Sequence, residues 1–216
     1  MLTALMSDSV HPFIAGLIAD LGSPSAKLVT AAAGKLARAH AEEAIPSLLR
    51  TLVDATDPMR AHAAAEALAG LRVAEAVPLI LDKIESPLFA YYGGSLVFHV
   101  VELDCRAHLD RLAAILVRDG VECCMNAYSH FEHRRGPIST EIEQRSLRIL
   151  GRFADEYQAG GHRSAPSRYH ATPEERWRLA ASAHDVVLEW NDREHAFPRK
   201  GENRWTGCIT PDWTPI

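Results

Sequence analysis

Apolar positions recur along this chain with the 3.6-residue period of helices, and the pattern itself repeats: residues 25–52 and 57–84 superimpose at an offset of 32. Under that offset Ala32 falls on Ala64, Ala33 on Ala65, Leu36 on Leu68, Ala44 on Ala76, Ile45 on Val77, Pro46 on Pro78, Leu48 on Ile80, Leu49 on Leu81 and Leu52 on Ile84. Each segment reads as a helix, a short turn and a second helix. One such pair cannot bury its own apolar face, so the repeat predicts pairs stacked on their neighbours in an open α-solenoid. An architecture of that kind offers a surface for recognition more readily than a closed pocket for catalysis.

The offset carries into a third unit, placing Leu96 on Ala64, Val100 on Leu68, Leu109 on Val77, Leu112 on Ile80 and Leu116 on Ile84. The small residues are lost there. Alanines at 31–33 and 63–65 let helices approach closely, whereas Leu96, Val97 and Phe98 require wider spacing. A fourth pair spans Val121 to Phe131 and Ile138 to Phe153, with Ile142, Leu147 and Leu150 as its inner stripe. Ahead of the repeats, Phe13, Ile14, Leu17, Ile18 and Leu21 form a capping helix that ends at Gly22. Asp57-Pro58 opens the second unit as an N-cap followed by proline at the first helical position.

Beyond Gln158 the periodicity fades into a polar linker, until Thr172-Pro173-Glu174-Glu175 announces a last helix running to about Trp190. The organisation expected is a solenoid with its N-terminal cap over 1–158, a linker over 159–171, and a C-terminal capping helix with a tail over 172–216. Trp177, Trp190, Trp205 and Trp213 all lie in this last segment. Disordered tails are poor in aromatics, so the tail is expected to dock, on the chain's own last helices first and on a partner as the alternative.

Composition narrows the function classes. The chain of 216 residues carries a formal net charge of −5, with fourteen acidic against ten basic side chains before residue 120. Nucleic-acid binding needs a coherent basic stripe, and only the stretch from Arg134 to Arg168 approaches one. No apolar run nears the ~20 residues that span a bilayer. The first ten residues lack the basic region of a secretory signal, so cytoplasmic residence is expected. Cys105, Cys123, Cys124 and Cys208 spell no disulfide framework, and the first three read as buried small hydrophobes.

The stretch from Asp57 to Leu71, followed by Glu75-Ala76-Val77-Pro78-Leu79-Ile80, resembles a HEAT repeat of the short bacterial kind found in phycobilisome-lyase-like proteins. The segment from Gly94 through Leu103-Asp104-Cys105 to Leu109 is similar to small bacterial HEAT-repeat proteins, some of which resemble immunity proteins encoded beside secreted toxins. The resemblance covers about residues 24–155. It implies an all-α, right-handed α-solenoid of about four HEAT-like helix pairs, capped at both ends, whose second helices line a concave binding wall. The partner implied is a protein, a secreted toxin above all; a chaperone or lyase subunit acting on a protein-bound chromophore, and a DNA-binding protein using the arginine cluster, are the alternatives.

With apolar positions assigned to the core, Arg50, Asp54, Asp82, Asp110, Arg111, Arg118, Gln144 and Arg148 remain as candidate partner-binding positions on that wall. Tyr91 and Tyr92 join them from the loop between Ser86 and Ser95, where Leu88 and Phe89 also lie, because tyrosine supplies contact area with few rotamers to freeze; the alternative is that these rings fold back over the groove between the second and third units. Catalytic patterns are thin. The paired His-Glu dipeptides of HEAT-type metal hydroxylases do not occur, and His130-Phe131-Glu132 lacks the Pro-Cys-x-x-Cys half of the zinc-deaminase signature. Cys123, Cys124, His130 and His133 have no recognised zinc spacing, and the two histidines sit near a helix end where polar side chains face water. His62 and Glu66, four apart, read as a helix-surface pair. The expectation is a non-catalytic binder with neither metal nor cofactor.

Overall fold

The computed structural model describes residues 10–89, 92–118, 121–133, 136–159 and 173–192, and among them ten α-helices and no strand. In chain order these are α1 (Pro12–Asp20), α2 (Ala26–Arg38), α3 (Ile45–Asp54), α4 (Pro58–Gly70), α5 (Ala76–Glu85), α6 (Gly93–Glu102), α7 (Leu109–Arg118), α8 (Val121–His133), α9 (Thr140–Gln158) and α10 (Pro173–Asp192). Local chemistry sets the starts. Asp57 Oδ1 accepts a hydrogen bond from the Arg60 amide at 3.0 Å, and Ser139 Oγ accepts from Ile142 at 3.3 Å, each satisfying a donor that the first turn leaves without a partner. Pro46 and Pro78 fall in the first turns of α3 and α5, where the missing amide breaks no helical bond.

The ends of α2 and α4 repeat in backbone detail. His40 (φ 50°) and Arg72 (φ 58°) both adopt the left-handed conformation, and they are 32 positions apart. Beyond them the Ala41 amide donates to Leu36 O at 3.1 Å and the Val73 amide to Leu68 O at 3.0 Å, the six-residue closure of a Schellman motif. Helix α6 departs from this. Leu103 closes it in an extended conformation, and Gly93 and Gly94, which the sequence places ahead of the helix, are its first two residues. Close approach explains them: a Cβ on Gly93 would stand 3.0 Å from Cys123 Sγ, and one on Gly94 would overlap the Glu122 side chain of α8.

The helices form two runs. First helices α2, α4, α6 and α8 contact one another in succession, and second helices touch as α3 with α5 and α7 with α9. Each second helix also leans on the first helix of the next pair, α3 on α4, α5 on α6 and α7 on α8, while α1 covers α2 and α10 packs on α9, α8 and α7. The repeat register is the core register: Ala32, Ala64 and Leu96 are buried, as are Leu36, Leu68 and Val100, then Leu48, Ile80 and Leu112, then Leu52, Ile84 and Leu116. Burying each leucine or isoleucine contributes about 1.5–3 kcal/mol.

In the fourth pair Leu150 and Phe153 are buried, with Ile142 and Leu147 packed partly buried against them. Helix α10 buries Ala180, Ala183, Val186 and Val187, and its Trp177 ring stacks on Tyr157 with centroids 5.6 Å apart. Most of the expected linker and the tail beyond residue 192, with Trp205 and Trp213, lie outside the described residues. No helix among the described residues is long and apolar enough to cross a membrane.

Candidate partner-binding surface

The second-helix run carries most of the residues singled out for binding, and the structure sorts them into two groups. The first group is spent inside the chain. Arg111 on α7 reaches back to α5, its Nε donating to Glu85 Oε1 at 2.9 Å and its Nη2 to Glu85 Oε2 at 2.9 Å and to Asp82 Oδ1 at 2.7 Å. Burial opposes its charge, but the Glu85 and Asp82 carboxylates together outweigh that and hold the guanidinium above its ordinary pKa. Asp110 is half-buried beside Arg145 of α9, with Nε and Oδ2 2.9 Å apart, an ion pair in which the N–H is not aimed at the oxygen. Arg111 and Asp110, expected as exposed positions, are therefore corrected to partly buried joint residues, because each finds its countercharge on the adjacent helix.

Other cations bridge elements in the same way. Arg60 of α4 donates to the carbonyls of Ser23 and Leu21 at 2.7 and 3.3 Å, and Lys83 of α5 to those of Val53 and Ala55 at 2.8 and 2.7 Å. Arg176 of α10 reaches Val117 O at 3.2 Å. Their acceptors are backbone groups, which no residue pattern reveals.

The second group faces solvent. Arg50 and Asp54 are exposed on α3 and line an open cleft of about 570 Å³ between α3, the α1–α2 turn and the start of α4. Other polar groups of that cleft are occupied: Thr51 Oγ1 donates to Ser47 O at 2.8 Å, Asp57 caps α4, and Arg60 holds the α1–α2 turn. Arg118 is exposed at the end of α7, and Gln144 and Arg148 are exposed one turn apart on α9. Tyr92 is exposed at the start of α6, whereas Phe89 beside it is buried and Tyr91 lies outside the described residues. Within the arginine cluster, Arg145 and Arg152 are tied to carboxylates of α7 and α9; Arg134, Arg135, Arg163 and Arg168 lie outside the described residues.

A second groove, about 320 Å³, lies between the third and fourth pairs and is lined by Asp104, Arg106, Ala107 and the segment Pro137–Ser139 with Ile142. Asp104 and Arg106 form a bonded pair at its edge, and the hydrogen bond from Arg106 holds the Asp104 carboxyl at about 2. Just inside, Cys105 Sγ lies 3.2 Å from Nδ1 and 3.4 Å from Nε2 of His130. Sulfur nearly equidistant from both ring nitrogens faces neither N–H squarely, and both residues are buried, so the pair is packed rather than poised as a nucleophile with its base. His130, expected to face water at a helix end, is 1% exposed, because α8 continues past it and turns it onto the Leu103-Asp104-Cys105 turn. Cys124 donates to Leu116 O at 3.0 Å, and among the described residues no group of three or more His, Cys, Asp or Glu side chains is arranged to hold a metal ion.

No protein-family model matches the chain, and neither a curated protein nor a solved structure is significantly similar to it.

Proposed function

We propose that the stacked helix pairs form a right-handed, HEAT-like α-solenoid that serves as a protein-binding scaffold, and that its partner is a bacterial toxin held in check by the contact. The observation that carries the reading is the division of labour on the second-helix run. Cations at the joints are consumed in holding successive elements together, with Asp54 adding a favourable charge beside Lys83, while Arg50, Gln144 and Arg148 are exposed on the same run. Individual surface charges contribute little to folding, but opposed arrays across an interface set association rate and specificity. Assignment of the partner as a toxin rests on the resemblance of the repeat segments to immunity-type proteins.

Affinity capture with the full chain from the producing strain, read by mass spectrometry, tests this directly. A secreted effector encoded next to this gene should be recovered, and co-expression should relieve the growth arrest that the effector causes. Capture that repeatedly returns no such effector, or an effector whose toxicity the chain leaves untouched, overturns the immunity reading.

A further inference from the structure

We propose that the joint between the second and third helix pairs is an acid-labile hinge, in which protonating both members of a His62–His99 contact drives α4 from α6. His99 on α6 is 5% exposed, and its Nε2 lies 3.2 Å from Nε2 of His62 on α4, the rings meeting edge to face with centroids 4.7 Å apart. Only one proton fits between two imidazole nitrogens at that distance, one ring donating and the other accepting. A second proton places two cations against each other in a partly dry contact, where repulsion is far stronger than in water.

The surroundings do not cancel this. Glu102 on α6 has an oxygen 3.6 Å from His99 Nδ1, and Glu66 on α4 one 3.9 Å from His62 Nδ1, but both carboxylates are about half exposed and so partly screened. From the other elements packed on α6, Lys83 of α5 is turned to the carbonyls ending α3, and Glu122 of α8 sits against Gly94 near the other end of the helix. Burial first, then the neighbouring His62, lowers the His99 pKa despite Glu102 and Glu66. The second-helix run has a matching group at the same joint: His108, ahead of α7, is lowered by burial and then by Arg111, with Asp110 and Asp82 opposing.

The sign follows from linkage. A histidine whose affinity for a proton is lower in the folded chain charges first in the unfolded one, so its stabilising contribution is complete above the ordinary pKa of about 6.5 and falls away as the pH drops below it. Each such group costs about tenfold in the folding constant per pH unit within that window. The hinge is independent of the partner proposed above.

Hydrogen exchange of the full chain at pH 7.5 and 5.5, with exchange times matched for intrinsic rate, tests the proposal. Peptides from α4 and α6 should lose up to about tenfold more protection than peptides from α2 and α9, and His62→Gln, which cannot charge but can still donate to His99, should remove the part of that difference due to the second cation, leaving the part that burial of His99 causes. Equal loss in all helices, or an undiminished α4–α6 loss in His62→Gln, overturns it. Should the variant fold poorly, imidazole titration of the wild-type chain by NMR decides: His99 must titrate below 6.5, and titration at or above that value refutes the hinge.

Discussion

At single residues, the clearest strain among the described residues is at His40 and Arg72, both with positive φ and both carrying a side chain. A non-glycine residue costs about 1–2 kcal/mol in this conformation, while glycine gives back part of that gain through its freer unfolded state. Arg72→Gly and His40→Gly should therefore each stabilise the protein by about 0.5–1 kcal/mol, raising Tm by about 1–4 °C in calorimetry. A fall in Tm would mean that the arginine stem or the imidazole makes a packing contribution larger than the strain. These positions were illegible as turns: His40 and Arg72 are not glycine or asparagine, so the usual stop signal was missing, and only their spacing of 32 ties them to the repeat. The buried His130 and the His62–His99 contact escaped for a related reason, since a histidine on a helix carries no mark of which neighbouring helix it meets.

At the scale of elements, the alanines of α2 and α4 and the larger residues of α6 occupy one register and report different helix separations. Ala64 is fully buried where α4 meets its neighbours, so Ala64→Leu should overpack the joint and destabilise by about 1–3 kcal/mol in urea unfolding. The equivalent position in the third unit runs the other way: Leu96→Ala should open a cavity and cost about 2–5 kcal/mol. Helices and their order were readable from apolar periodicity because burial imposes it, and so was the Asp57 cap; the cap at Ser139 was not, since the apolar pattern starts that helix at Ile138. The staples between units were less readable. Arg111 and Asp110 had the pattern of solvated wall charges, and only three-dimensional proximity of Asp82, Glu85 and Arg145 turns them inward.

For the molecule as a whole, that distinction separates residues that hold helices together from residues that face solvent, and makes folding and the proposed recognition experimentally separable. Reversing Arg111 to glutamate would set three carboxylates together across the α5–α7 joint, so any loss of partner binding would come with a loss of stability. Arg50 is clear of that entanglement, exposed on the rim of an open cleft, whereas Asp54 beside it lends its charge to the joint cation Lys83. The variant Arg50→Glu should leave the urea midpoint unchanged within the ±0.5 kcal/mol typical of surface substitutions. If the second-helix run is the partner-binding face, the same variant should slow association with the captured partner by about one to two decades at low salt, a difference that narrows as ionic strength rises. Surface-binding kinetics at two salt concentrations, run beside Arg148→Glu on α9, map the footprint: loss at both ends of the run requires a partner that spans the stack, loss at Arg50 alone confines it to the first unit, and loss at neither removes this face from the interface.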